Sequence, residues 1–496
     1  MNLYWGDLHN HCGISYGYGS LDNALANARA HLDFCCVTGH AMWPDMYARN
    51  EETAFIVDFH KRGFDKLREG WPTVRRKINE ANSPELVTFQ SYEMHSSRWG
   101  DHHFVSPDAD FPLIERDSPA DIVRDCGCRA IAVPHHIGYT PGYRGIDWSL
   151  FSPAISPLVE VVSKHGCAMR EDGPLPYYHD MGPLDPRNTV AEGLRQGRRF
   201  SFVGSTDHHA GFPGSYGDGV AGVWAGEKTR ESLWKALLAG HTYACTGDRM
   251  VCSLTLNEAM MGDTVAADRR SVRLTVQGHA PMELVTLRRN GEIVASCVPR
   301  QAADPTPDPE ERYFLRAEMG WSSSPERFHW DGELSVDDGE IVGVTPYLRG
   351  KNALSPADKV EGGEDECNRH DNGCAWAGNR AVFRCDTFCN LSTLHPMTSA
   401  FLFEVRAPRE ARVTLTLNGM THTAALGELT RCGFSGHVKP WHSHAYKMHT
   451  AYAASACRAE LSLEDAPHTA CDVYQAECVQ CNGQRAFVSP IYAVNG

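Results

Sequence analysis

The sequence lacks the features of several large protein classes. It has no run of about 18 apolar residues that could cross a bilayer, and it does not open with a charged segment followed by an apolar one, as an export signal does. Basic residues are not in excess, since 62 acidic against 47 basic side chains give a net charge of −15. Because a nucleic acid backbone needs basic stripes, we expect a small-molecule substrate, no nucleic acid or membrane partner, and a cytoplasmic location. Homo-oligomer formation stays open.

Two catalytic signatures are also missing. No Gly-x-Ser-x-Gly elbow and no phosphate-cradling P-loop occur, which argues against serine hydrolases and nucleoside triphosphatases. Eighteen cysteines are diluted over 496 residues without an export signal, so we expect reduced thiols. Cys478 and Cys481 form a CxxC with no second CxxC at zinc-ribbon spacing, which favours a structural role.

The order of apolar runs predicts two regions. Up to about residue 250, short apolar runs alternate with helical patterns, which is typical of βα units and a parallel sheet or barrel. Beyond it, strand-like segments with Asn-Gly turns indicate an all-β, sandwich-like region. We therefore predict an α/β fold, with a β/α barrel over residues 1–250 and a β-rich accessory domain over residues 251–496. The seven apolar runs span residues 3–8, 34–38, 86–92, 130–133, 158–162, 200–204 and 220–224.

Helical spacing of apolar residues predicts helices between these runs. Ser20 is placed to cap a helix whose apolar residues share one face. A second helix is expected over residues 51–82, with an interruption near Gly70 and Pro72. The other predicted helices span residues 118–126, 189–196 and 229–239.

Metal-binding residue types follow the predicted strands. The first strand ends in Asp7-Leu8-His9-Asn10-His11, and residues two apart on a strand share a face, so His9 and His11 are placed to bind one ion. In a β/α barrel the strand ends meet at one face. Nitrogen and carboxylate ligands without thiolate fit zinc, manganese or iron. The clusters after the other strands are His40, Glu93, His102-His103, His135-His136 and Asp207-His208-His209.

These motifs carry a family resemblance. Asp-Leu-His-x-His, Thr-x-His, a strand-terminal Glu, Gly-Asp-His-His, Pro-His-His and Gly-Ser-x-Asp-x-His together resemble the PHP (polymerase and histidinol phosphatase) superfamily. Residues 4–9 (YWGDLH), 241–249 (HTYACTGDR) and 488–492 (VSPIY) resemble its DUF3604-like branch more closely. The resemblance implies a distorted seven-stranded (β/α)7 barrel, two or three divalent ions, and hydrolytic, often phosphoesterase, chemistry.

The resemblance also implies a ligand set. One ion matches His9, His11, Glu93 and Asp207, its bridged neighbour matches Glu93, His102 and His136, and a third matches His40 and His209. Two departures affect the third ion. The second motif reads Thr38-Gly39-His40, without its usual Asp. The ligand expected a few residues after His11 falls near Tyr16 or Gly17, where no Asp or His stands. We therefore expect the third ion to be held more weakly than the other two.

The sequence predicts a metal-dependent hydrolase. We expect a phosphoesterase in which Glu93 and Asp207 help to hold a metal-bridging hydroxide against a small anionic substrate. Proton transfer then falls to Asp207, His103 or His208. Metal-dependent amide or ester hydrolysis is equally compatible with such a site. A non-catalytic binding protein with a degenerate barrel is the third alternative.

Basic residues on predicted loops are candidates for recognising the substrate. Lys164, Arg144 and Arg249 lie near the same strand ends and carry the charge that an anionic group needs.

Overall fold

The structure, a computed structural model, describes residues 1–299, 311–324, 326–351, 367–390, 392–393, 396–441 and 443–496. Ser20 caps the first helix as predicted, because its side chain accepts a hydrogen bond from Asn23 N at 3.2 Å. The second helix runs through Pro72, so its predicted interruption is wrong. No helix in the described ranges is both long and apolar enough to cross a membrane. The helices are α1 (Leu21–Arg29), α2 (Ala54–Ala81), α3 (Pro119–Asp125), α4 (Val190–Arg195), α5 (Arg230–Ala239) and α6 (Leu426–Leu429).

All seven predicted apolar runs form strands, and the structure adds four short strands between or after them. In the main sheet, the first strand pairs in parallel with the second, and the second pairs in parallel with the fourth. In chain order the strands are β1 (Asn2–Asp7), β2 (Phe34–Cys36), β3 (Gly39–Met42), β4 (Val87–Met94), β5 (His102–Ser106), β6 (Ile131–Pro134), β7 (Leu158–Ser163), β8 (Gly166–Cys167), β9 (Ser201–Gly204), β10 (Val220–Ala225) and β11 (Thr242–Cys245).

The predicted closed barrel is not confirmed. The α/β class holds, but none of the sheets in the described residues closes on itself. Strands β7, β8 and β9 form a separate sheet. Ala132 N of β6 donates to Ile155 O, in the loop between β6 and β7, and not to β7 itself. The segments that follow β1 and β9 are joined by two hydrogen bonds of 2.8 Å. One runs from His11 N to His208 O and the other from Asp207 N to His9 O. The strand ends that carry the motifs are thereby brought together.

The region after residue 250 is rich in strands. The strands are β12 (Val251–Leu256), β13 (Ala259–Met260), β14 (Thr264–Ala266), β15 (Arg270–Gln277), β16 (Met282–Arg289), β17 (Glu292–Cys297), β18 (Arg312–Trp321), β19 (Phe328–Val336), β20 (Glu340–Tyr347), β21 (Gly373–Ala377), β22 (Arg380–Thr387), β23 (Ser399–Arg406), β24 (Arg412–Leu417), β25 (Met420–Ala425), β26 (Phe434–His437), β27 (Ala445–Met448), β28 (Tyr452–Ala453), β29 (Arg458–Asp465), β30 (Cys471–Gln480) and β31 (Arg485–Val494). Two of the sheets, with strand orders β20-β23-β18-β27-β26 and β21-β22-β19-β24-β25, share one apolar core built around Trp330, Phe383 and Phe403, as expected of a sandwich.

The last strands of the chain return to the first half. Strand β31 pairs antiparallel with β11, and β30 and β16 extend the same sheet outward. Cys478 is buried in β30, whereas Cys481 is exposed in the following turn. Since one sheet contains strands from both sides of residue 250, the division at that residue stays a prediction.

Candidate metal centre

Four predicted ligand atoms converge where β1 and β4 end and the segment after β9 begins. His9 Nε2 lies 3.0 Å from His11 Nε2, 3.3 Å from Glu93 Oε2 and 3.5 Å from Asp207 Oδ1. His11 Nε2 lies 3.3 Å from Glu93 Oε2 and 3.0 Å from Asp207 Oδ1. All four side chains are buried. The structure therefore brings together the complete set predicted for the first ion.

These separations fit a metal ion. Ligands that sit about 2.0–2.1 Å from a tetrahedral zinc ion lie about 3.3–3.4 Å from one another. The remaining ring nitrogens are also held, since His9 Nδ1 donates to Glu160 Oε2 at 2.9 Å and His11 Nδ1 donates to the Thr38 carbonyl at 2.7 Å. Such outer partners fix the tautomer of a metal-binding histidine. Asp207 also has a left-handed backbone, with φ of 50°, which costs a non-glycine residue about 1–3 kcal/mol and is typical of functional sites.

The other carboxylate oxygen of Glu93 faces a second group of ligands. Glu93 Oε1 lies 3.3 Å from His135 Nε2 and 2.9 Å from His95 Nδ1. His135, His136 and Asp101 form, with Glu93, a buried group compact enough to hold an ion. His136 is thus placed as predicted. His135, which was not among the predicted ligands, is equally close.

His102 is the predicted ligand that the structure does not bring to this group. Its Nδ1 bonds the Gly100 carbonyl at 2.9 Å, and its ring lines a small cavity with Trp99 and Pro119. His103 lies in the cluster instead, with Nδ1 3.3 Å from His135 Nδ1 and its ring stacked on His9. The cause is strand register: His103 pairs with Glu93 across the β4–β5 ladder, and directly paired residues share a face.

The third predicted pair lies on the opposite side of His11. His11, His40 and His209 form a buried group that can hold an ion, and the ring of His11 stacks on both of the others. Tyr16 covers this group, because its ring stacks on His40 at 3.7 Å and its hydroxyl bonds His95 Nε2. Tyr16 therefore occupies the position where the family resemblance expects a further ligand.

Protonation suits metal binding at most of these positions. Burial, with repulsion from neighbouring imidazoles, lowers the pKa of His103, His135, His40 and His209 well below the usual value, so their nitrogen lone pairs are free. At His9, burial also disfavours the charge, but the carboxylates of Asp207 and Glu160 outweigh it and raise the pKa well above the usual value. A metal ion has to displace that proton.

Buried atoms without partners support the same assignment. Nε2 of His103 and Nδ1 of His136 are buried and have no hydrogen-bond partner among the described residues. Buried polar atoms in native proteins are rarely left unpaired, and an absent ion is one ordinary explanation. The donor set therefore fits bound divalent ions.

Three other predicted residues lie away from the metal ligands or are already paired. The Arg144 guanidinium donates from Nε to Asp101 Oδ2 at 2.7 Å and from Nη2 to His95, so its charge is neutralised inside the site and it is not free for substrate. Arg249 donates to the His31 carbonyl at 2.6 Å near the C-terminal end of α1. The buried ring of His208 accepts from Ala210 N and lies beside Phe212 and Gly350, facing the β-rich region.

Lys164 lines a cavity of about 430 Å³ next to the cluster. One wall carries His165, whose Nε2 lies 3.0 Å from Asp207 Oδ2. Lys164 Nζ is 3.6 Å from Asp218 Oδ2, and a second cation, Arg349, comes from the β-rich region. The candidate substrate cavity is therefore built from both halves of the chain.

Several of these residues were not predicted as site residues. Glu160 had a usable signal, because it is a single acid in the apolar run 158–162 and a buried acid needs a partner. Asp101 and Arg349 lie on segments without such a pattern. Their contribution depends on how distant parts of the chain pack.

The comparisons with known proteins cover only parts of the chain. Residues 214–283 match the family model DUF3604, a protein of unknown function. An uncharacterised protein of Chlamydia pneumoniae is 31% identical over 173 residues, and the match covers 31% of this chain and 28% of that protein. A Chlamydia muridarum relative is 27% identical over the same shares.

One solved structure is a distant neighbour. A two-domain protein from Bacteroides vulgatus, which contains a predicted PHP-like metal-dependent phosphoesterase, superposes with a TM-score of 0.33 at 15% identity. The superposition covers 58% of this chain and 79% of that one.

Proposed function

We propose that this protein is a metal-dependent phosphoesterase that acts on a small anionic substrate. The observation that carries the proposal is the convergence of His9, His11, Glu93 and Asp207 at separations of 3.0–3.5 Å. When bound, divalent ions at such a centre act as Lewis acids and lower the pKa of a bound water toward neutrality. Glu93 presents one carboxylate oxygen to each of two ligand groups, so it would help to hold an ion in either group.

The residues around the centre supply binding and proton handling. Lys164 and Arg349 place two cations on the cavity wall against one acid, Asp218, which favours an anionic substrate. His165 reaches from that wall to Asp207, and Tyr139 OH holds its other nitrogen at 2.6 Å. We propose that His165 Nε2 transfers a proton to the leaving group.

A substrate screen with metal analysis tests the proposal. Phosphomonoesters, phosphodiesters, amides and esters are offered with added Mn²⁺ or Zn²⁺, and metal per chain is measured. We expect phosphoester hydrolysis and about two or three ions per chain. Hydrolysis of amides or esters alone would replace the proposed substrate class, and a metal-free, inactive protein after supplemented expression would support the binding module instead.

A matched pair of variants locates the reaction. Asp207→Asn should lower turnover by about a hundredfold or more and reduce metal content, because it removes a charged ligand. Asp386→Asn makes the same change at a carboxylate outside the cluster, which bonds His329 Nδ1 at 2.8 Å. This variant should leave turnover and metal content unchanged. Full activity in Asp207→Asn would refute the site.

A further inference from the structure

A second cavity lies at the opposite end of β9 from the metal centre. Its volume is about 360 Å³, and it opens between the connection from α4 to β9 and the outer strands β30 and β31. Arg198 and Arg199 precede β9, whereas Asp207 follows it. Among the residues that the structure describes, the two cavities share no lining residue. The second cavity is therefore a separate site.

The walls of this cavity carry positive charge without a matching acid. Three arginines line it, and no acidic side chain is among its described lining residues. Arg195 is already paired with Glu192 at 2.6 Å. Arg198 Nε is buried and has no hydrogen-bond partner among the described residues. Arg199 lies over the Tyr492 ring at 5.6 Å and donates from Nη2 to Cys471 Sγ at 3.4 Å.

An acid bonded to two of the lining residues does not neutralise Arg198 or Arg199. Asp472 is fully buried and bonds the Arg270 guanidinium. Asn290 and Thr469, which line the cavity, donate to the same carboxylate at 2.6 Å and 2.8 Å. Its negative charge is thus compensated on the far side of the cavity wall, and Arg198 and Arg199 stay available to an anion.

A backbone irregularity presents a further polar group. The β30–β31 ladder shifts register between Tyr474 and Ala476, and the intervening Gln475 lines the cavity. Its side chain is 7% exposed, and Oε1 is buried without a hydrogen-bond partner among the described residues. β-Bulges are common beside binding sites because they redirect a side chain. Two residues with an unpartnered polar atom, Arg198 and Gln475, thus line one cavity.

We propose that this cavity binds a small organic phosphate. The dianion lies between the guanidinium groups of Arg198 and Arg199, which match phosphate oxygens in geometry and charge. The apolar body of the ligand lies against Leu194, Val473 and Tyr492, the apolar part of the lining. This site does not depend on the proposed hydrolase activity.

The thiol of Cys471 reports occupancy directly, because it lines the cavity and contacts Arg199. Purified full-length protein is alkylated with iodoacetamide, and each cysteine peptide is quantified by mass spectrometry. The probe is phenylphosphonate, whose P–C bond a phosphoesterase does not cleave, and its uncharged match is benzamide. At about 1 mM, phenylphosphonate should slow alkylation of Cys471 several-fold and leave the exposed Cys432 unchanged.

Variants separate this site from non-specific effects. Arg198→Gln should abolish the protection of Cys471, whereas Arg187→Gln should retain it, since Arg187 is an exposed residue paired with Asp185. Equal protection by benzamide, equal slowing at Cys432, or no slowing at Cys471 would each overturn the proposal. Persistent protection in Arg198→Gln would overturn it as well. None of these outcomes depends on turnover, so failure here is distinguishable from failure of the proposed function.

Discussion

Glu160 offers a sharp test of the metal centre, because it touches the ligand His9 without being a ligand of the same group. Its Oε2 accepts the Nδ1 proton of His9 at 2.9 Å, and both side chains are buried. Glu160→Gln keeps the size of the side chain and removes its charge. Loss of such an outer carboxylate typically weakens metal binding tenfold to hundredfold, or about 1.4–2.8 kcal/mol.

The pH at which affinity is measured changes the expected size of this effect. Glu160 would stabilise the metal-bound form of His9, and it also stabilises the protonated form, because it helps to raise the pKa of His9. Below that raised pKa the proton competes with the metal, so the two contributions partly cancel. Above it, only the metal-bound form benefits. The loss in Glu160→Gln should therefore grow as the pH rises through the raised pKa of His9.

Competition with a chromophoric chelator measures the zinc affinity of each variant across a series of pH values. Glu318→Gln is the matched control, because Glu318 bonds His449 Nε2 at 2.7 Å in the β-rich region, away from the cluster. It should leave the affinity unchanged. Parent-like affinity in Glu160→Gln, with unfolding curves that superpose, would refute the reasoning, as would an equal loss in Glu318→Gln.

Three further predictions follow from the geometry. His40→Ala should lose about one ion per chain on mild chelation and keep the others; loss of all ions together, measured by elemental analysis, would show that the sites are not separate. Arg270→Met should lower the free energy of unfolding by about 3–5 kcal/mol, because it leaves the buried carboxylate of Asp472 uncompensated; a denaturant titration that shows less than about 1 kcal/mol would contradict this. Residues 246–250 should resist limited proteolysis, because most of them are buried between β11 and β12; cleavage there that releases two folded halves would count against it.

The sequence alone determined which segments carry the chemistry. The apolar runs of the first half are strands because short, bounded apolar runs favour buried strands. His9 and His11 come directly after β1, and the two-residue repeat of extended backbone predicts that their side chains point the same way. These local regularities marked the segments that carry the candidate ligands, and the family resemblance grouped His9, His11, Glu93 and Asp207 into one set.

Tertiary structure decided which member of the His102-His103 pair enters the site. Local alternation says that His102 and His103 point in opposite directions, but only the pairing of Glu93 with His103 says which one points inward. The same limit applies to Glu160, whose partner lies 151 residues earlier in the chain.

Tertiary structure also decided how the sheet is completed. Strand β31 pairs with β11 from the first half, and Arg349 of the β-rich region lines the cavity beside the metal centre. These contacts join residues that are far apart in sequence. The free energy that stabilises them comes from burial and strand pairing, which cannot be read from a short stretch of sequence. Local patterns and the family resemblance therefore predicted candidate ligands, whereas the packing of distant segments decided which of them come together and what surrounds them.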